Sequence, residues 1–169
     1  MVLTRPELLA ALQNEVRILR HLTTKIDRSK LDYRPTEHQR STLELLRYLT
    51  VMGPQLVLAA KAGAFDGEAW SAAEEASRAM SFDEVLASLA AQPETYASML
   101  ADVTDQQMRE EVEIFGEKTS RGAFLVNMVL CGCAAYRTQV FLYLKSCGRS
   151  ELSTWDLWVG IDAPAEPQA

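Results

Sequence analysis

The side chains with most chemical potential are concentrated in one stretch, Cys131-Gly132-Cys133 followed by Tyr136 and Arg137. Two thiols two residues apart raise the question of a metal or redox site. Helical residues turn by about 100° each, so on a helix Cys131 and Cys133 point to nearly opposite sides. In that geometry they neither chelate one ion nor form a disulfide without breaking the helix. A zinc site built on C-x-C needs a loop and two further ligands, and the adjoining sequence supplies none. The thiols are therefore read as small apolar side chains in packed surroundings. Cys147, near the C-terminus of the same helix, is expected to be exposed and gains no activation from a helix N-terminus. Gly132 and Tyr136 are one turn apart and share a face. A mid-helix glycine costs roughly 1 kcal/mol relative to alanine, so it calls for a steric reason. Close approach of a neighbouring helix supplies one; room for a large ring, such as that of Tyr48, supplies another.

Other reactive groups give plainer readings. The chain has two histidines. His21, near the end of a first helix, suits the helix dipole at the surface. His38 reads as a solvated loop residue. Asp102, Asp105, Glu110, Glu111 and Glu113 form a charge run, the pattern of a solvated face. Trp155 and Trp158 read as a hydrophobic clasp across the end of the molecule or as a dimer contact, since aromatic residues are enriched in interface cores. There is no Ser/His/Asp array, no phosphate-binding glycine loop and no nucleic-acid motif.

The elements that must position these groups carry clear signals. Thr4-x-x-Glu7, Ser41-x-x-Glu44 and Ser81-x-x-Glu84 are capping boxes. Each precedes apolar residues at steps of three and four, for example Leu8, Leu12, Val16, Leu19 and Leu22. Helices are predicted from about residue 5 to 26, from Ser41 to a stop at Gly63, from Ser81 past Tyr96, and from Ser120 to Gly148. Gly53-Pro54 predicts a kink or restart, Pro93 a bend, and residues 64 to 80 a short extra helix. Val112 to Phe115 suggest a short extended piece. Four long amphipathic helices imply an all-α, antiparallel four-helix bundle with long connections and a short C-terminal tail. The bundle is expected over residues 1–150, with residues 151–169 packing on it and fraying at the Pro/Ala end.

Composition narrows the class. The 169 residues suit one domain with one core. A net charge of −6 and a pI near 5.0 argue against a general nucleic-acid binder and against adsorption to anionic membranes. Three cysteines make no disulfide framework, and with no secretory signal in view the expectation is reduced thiols in the cytoplasm. The apolar run from Ala123 to Tyr136 falls short of the roughly 20 residues needed to span a bilayer and reads as a buried helix.

The residues "LDYRPTEHQRSTLELLRYL" and "AAYRTQVFLYLKSCG", with the order of the helices, resemble the DinB-like (also called YfiT-like) helix-bundle family over roughly residues 5 to 148. That family usually reads LLxHL in the second helix and HxxxHRxQ…YLxxxG in the fourth. Its three histidines bind a divalent metal, often nickel or zinc, and its members include metal-dependent hydrolases and low-molecular-weight thiol transferases, many of them homodimers. Arg137, Gln139 and Gly148 fall in register. The histidine positions are Tyr48, Gly132 and Tyr136, and all three have lost imidazole. Neutral phenols and glycine are poor ligands for nickel or zinc, so no metal and no other cofactor is expected. The candidate pocket is Tyr48, Gly132, Tyr136, Arg137 and Gln139. The leading expectation is a homodimer that binds a small molecule or a partner protein or serves a structural role. The alternative is a thiol transferase or hydrolase-like enzyme that uses Tyr48, Tyr136 and Arg137 without a family-type metal.

Overall fold

A computed structural model describes residues 3–164; the expected fraying of the terminal Pro/Ala segment falls outside them. Helix α1 (Arg5–Thr23) opens on Thr4, whose hydroxyl accepts from the Glu7 N–H while the Glu7 carboxylate accepts from the Thr4 N–H. Helix α2 (Thr42–Ala62) starts on the same reciprocal cap at Ser41 and Glu44. It runs on through Pro54 rather than breaking there. Gly63 ends it with φ of 72°, in the left-handed region that glycine enters without steric cost. Helix α3 (Gly67–Arg78) is capped by Asp66, and helix α4 (Phe82–Leu100) by the third box, Ser81 and Glu84, with Pro93 inside it.

The charged stretch that follows forms a hairpin, β1 (Glu111–Ile114) and β2 (Glu117–Ser120). Its two-residue turn is Phe115-Gly116, with φ of 57° and 78°. Positive φ at both positions twists the turn to match the strands, which explains a two-residue loop here. Ser120 then caps helix α5 (Arg121–Ser146). Inside α5, Leu125–Leu130 form a π turn. Such a turn admits one extra residue and re-phases the helix face beyond it.

Four helices enclose the core. Helix α1 packs against α4 and α5, and α2 packs against the same pair, while α3 lies on α2. Contacts set the directions. Arg5 reaches the Leu100 carbonyl and Gln13 the Pro93 carbonyl, so α1 and α4 are antiparallel. Tyr48 meets Tyr136 and Arg121 bonds the Ala60 carbonyl, so α2 and α5 are antiparallel. Helices α2 and α4 run the same way, with α3 carrying the chain back between them, and so do α1 and α5. Leu12, Leu22, Leu45, Leu46, Val85, Leu89 and Leu125 are among the fully buried residues, each contributing about 1.5–3 kcal/mol of transfer free energy.

Helix α5 is the one described helix long and apolar enough, by length and composition, to cross a membrane. In this fold it is a bundle helix. Phe124, Leu125, Val129, Val140, Tyr143 and Leu144 are buried in the core, and Arg137 forms an ion pair with α1.

Candidate functional site

Tyr48 and Tyr136 face each other across the α2/α5 seam, edge to face, with ring centroids 5.1 Å apart. Trp70 of α3 closes on Tyr48 from another side at 6.1 Å. The Arg40 guanidinium covers the Tyr48 ring at 3.9 Å from its centroid, a cation–π contact. Both tyrosines are half-buried at the edge of the core. Burial first, and then the neighbouring Tyr136 phenol, push the Tyr48 hydroxyl far above its ordinary range, so it stays protonated. A hydroxyl held in that form donates or accepts a hydrogen bond but does not act as a base.

Gly132 lies one turn earlier on α5. A Cβ there would meet the Met52 Cε at 3.3 Å and Sδ at 3.4 Å. The space at Gly132 is therefore taken by Met52, one turn beyond Tyr48 on α2, and not by a tyrosine ring. The unbranched thioether suits this gap.

Gln139 acts at one remove. Its amide donates to the Tyr143 hydroxyl at 2.9 Å, and that hydroxyl donates to the Arg40 carbonyl at 3.0 Å. The chain of bonds ties α5 to the segment that enters α2 and thereby holds Arg40 over Tyr48. Arg137 points elsewhere. It is buried against α1, donates to Glu15 at 2.6 Å and to the Leu157 carbonyl, and lies 5.7 Å from the Trp158 ring. It is a strut between α1 and the tail. Of the five residues singled out from the sequence, Tyr48, Tyr136 and Gln139 therefore converge around Arg40, Gly132 packs inward on Met52, and Arg137 serves a separate junction.

Tyr48 opens onto a cleft of about 410 Å³ between the start of α2 and the end of α3, lined also by Arg40, Glu44, Arg47, Glu74, Ser77 and Arg78. Arg47 is committed to the Met80 carbonyl, while Arg78 pairs with Glu75 on the outside of α3. Glu44 is held below the usual carboxylate range, chiefly by the Ser41 N–H of its cap, against a smaller opposing effect of burial. The cleft thus offers one uncommitted guanidinium, that of Arg40, and a neutral phenol, beside the carboxylates of Glu44 and Glu74. From sequence, Arg40, Ser77 and Arg78 had no periodicity or motif to mark them. Only the return of the chain through α3 brings them beside Tyr48.

The fold and this seam define a class: the chain has the all-α DinB-like fold. A DinB-like protein of Bacillus subtilis, YjoA, superposes on it with a TM-score of 0.67 at 18% sequence identity, over 86% of this chain and 94% of that one. No protein-family model matches the sequence, and no curated protein matches it.

The positions to which the resemblance assigns metal-binding imidazoles lie together at the α2/α5 seam. Their contents do not fit a nickel or zinc ion, because two neutral phenols and a glycine filled by a thioether supply no strong donor.

The remaining reactive groups are structural or solvated. Cys131 is exposed, in contrast to the packed surroundings expected for it, because it lies on the outer side of α5. Cys133 faces inward, and burial pushes its thiol up to about 12. His21, expected at the surface, has its side chain 15% exposed and sits 2.9 Å from the buried Asp156 of the tail. No local signal revealed this bond, which joins residues 135 apart in sequence. His38 is an exposed loop residue. In the charge run, Asp102 pairs with Lys61 and Glu110 with Arg121, while Glu111 and Glu113 approach Lys118.

Proposed function

We propose that this protein binds a small polar molecule carrying an anionic group, in the cleft over Tyr48, as a cytoplasmic homodimer that does not use a transition metal there. The observation that carries this reading is the cleft itself: Arg40 lies stacked on Tyr48 at the seam where related bundles are expected to hold an ion. A guanidinium stacked on a ring keeps its outward N–H groups available for a carboxylate or phosphate. Dimerisation is supported by the apolar surface of the tail, where Trp155, Trp158, Val159 and Ile161 are all exposed; patches of this kind mark interaction surfaces.

The metal-free enzyme reading asks Tyr48, Tyr136 and Arg137 to act on one substrate. The Arg137 guanidinium is occupied by Glu15 and the tail, and Tyr48 is held protonated. Nothing in this arrangement favours it over binding.

The test combines three measurements on purified protein. Elemental analysis after incubation with nickel, zinc or iron and dialysis is expected to find no stoichiometric ion. Light scattering is expected to give twice the chain mass. Titration with succinate or inorganic phosphate, followed by amide chemical shifts, is expected to move the residues around Arg40 and Ser77. Substituting Arg40→Ala is expected to weaken that binding about fivefold, the scale of a part-exposed ion pair. One tightly held ion per chain at Tyr48 and Tyr136 would overturn the proposal.

A further inference from the structure

A second cavity, larger than the cleft over Tyr48, lies between the starts of α1 and α5. It has a volume of about 700 Å³ and sits between the start of α1, the turn at Gln107–Arg109 and the start of α5. We infer that it is a binding site for a carboxylate on an apolar chain. This goes beyond the function proposed above and does not depend on it.

The shape comes from local sequence. Ser120 caps α5, and Gly122 follows in its first turn. A Cβ on Gly122 would meet the Met108 carbonyl oxygen at 3.1 Å, so glycine lets the Gln107–Arg109 turn lie close on the helix start. The opposite wall is Val126 and Asn127, both within the π turn of α5. Widened turns of this kind recur at functional sites. Leu3, Leu8, Met108, Ala123 and Val126 make the lining mostly apolar. The volume lies in the range typical of small-molecule sites, which combine apolar walls with a few placed polar groups.

Charge sets the ligand class. Among the described residues lining the cavity none is acidic and one, Arg109, is cationic. The neighbouring charges are already engaged. Arg5 is bonded to the Leu100 and Ala101 carbonyls, and Asp105 accepts from the Arg5 N–H at 2.7 Å. Arg121 pairs with Glu110 at 2.9 Å. Arg109 has no carboxylate partner among the described residues and lies at the exposed rim. The Ser120 and Asn127 side chains add hydrogen-bonding capacity at the same cavity. An apolar chain would fill the interior, and its carboxylate would meet Arg109 at the mouth.

The experiment is calorimetric titration of the full chain with decanoate, with decanol as the uncharged counterpart. Decanoate is expected to bind one per chain, several-fold tighter than decanol. Arg109→Gln is expected to bring decanoate down to the affinity of decanol. Ala123→Trp or Val126→Trp, each of which fills the space, is expected to abolish binding of both, with folding checked by circular dichroism. Amide shifts of Ala123 and Asn127 on addition of decanoate locate the site independently of either variant. The inference is overturned if decanoate does not bind, if decanol binds equally well, or if the shifts fall elsewhere on the bundle.

Discussion

Placing imidazoles at Tyr48, Gly132 and Tyr136 is the sharpest test of what this seam can hold. The change is Tyr48→His, Gly132→His and Tyr136→His together. It removes an edge-to-face ring pair, worth about 0.5–1.5 kcal/mol, and the Arg40 contact, worth about 0.5–1 kcal/mol. Position 132 is the harder one. A Cβ there meets Met52 at 3.3 Å, which the flexible thioether can relieve by shifting slightly. An imidazole beyond that Cβ enters space Met52 now occupies, and Met52 is buried. Overpacking of this kind costs about 1–3 kcal/mol, partly offset by the roughly 1 kcal/mol gained on removing a helical glycine. The triple variant is therefore expected to lose roughly 3 kcal/mol, to remain folded and to hold no stoichiometric metal. Adding Met52→Ala opens the space, and this quadruple variant is expected to take up nickel or zinc. Metal at a hundred times its dissociation constant would then raise its stability by about 2.7 kcal/mol. Elemental analysis after dialysis and urea unfolding with and without zinc read both effects. One ion per chain in the triple variant would show that Met52 is no obstacle. A folded quadruple variant without metal affinity would show that the three side chains do not converge on one point.

Four further outcomes follow from single contacts. The buried Tyr96 hydroxyl has only the Cys133 thiol, a weak partner, beside it, so Tyr96→Phe is expected to leave stability unchanged or raise it by about 1 kcal/mol in urea unfolding; a loss of that size would refute the point. Cys131 is expected to react with a thiol reagent at pH 8 in the folded protein while Cys133, with its thiol pushed up to about 12, labels only on unfolding, as read by peptide mass spectrometry. Burial works to raise the Asp156 carboxyl, but the Ser153 N–H and His21 outweigh it and hold the group below its usual range; its contribution to stability is thus full above the unfolded value of about 3.9 and is lost as pH falls through the lower folded value. Acid titration should accordingly release the tail below about pH 4, seen as a change in Trp155 and Trp158 fluorescence, and Asp156→Asn should abolish that transition. Arg137→Ala leaves Glu15 without its partner in a part-buried setting and is expected to cost about 3 kcal/mol, whereas a change under 1 kcal/mol would mean that the strut is dispensable.

The sequence alone determined where the helices begin, because a capping box is satisfied by residues three apart and needs no distant partner. Thr4, Ser41 and Ser81 cap helices as their boxes require, and Ser120 caps the last one through its hydroxyl alone. It also determined that Cys131 and Cys133 diverge, since helical rotation fixes that whatever surrounds them. The hairpin was only half legible. The alternation at Val112 and Ile114 marks one strand, but its partner, Glu117–Ser120, is nearly all polar, and the positive φ at Phe115 has no signature in the residue type. Tertiary structure decided the rest, for one physical reason: those contacts join residues far apart in the chain, and side-chain type does not encode its partner. Met52 rather than a tyrosine fills the space at Gly132, Arg137 turns to Glu15 and the tail, and His21 anchors Asp156. Arg40 comes to rest on Tyr48 because Gln139 and Tyr143 tether its backbone from another helix.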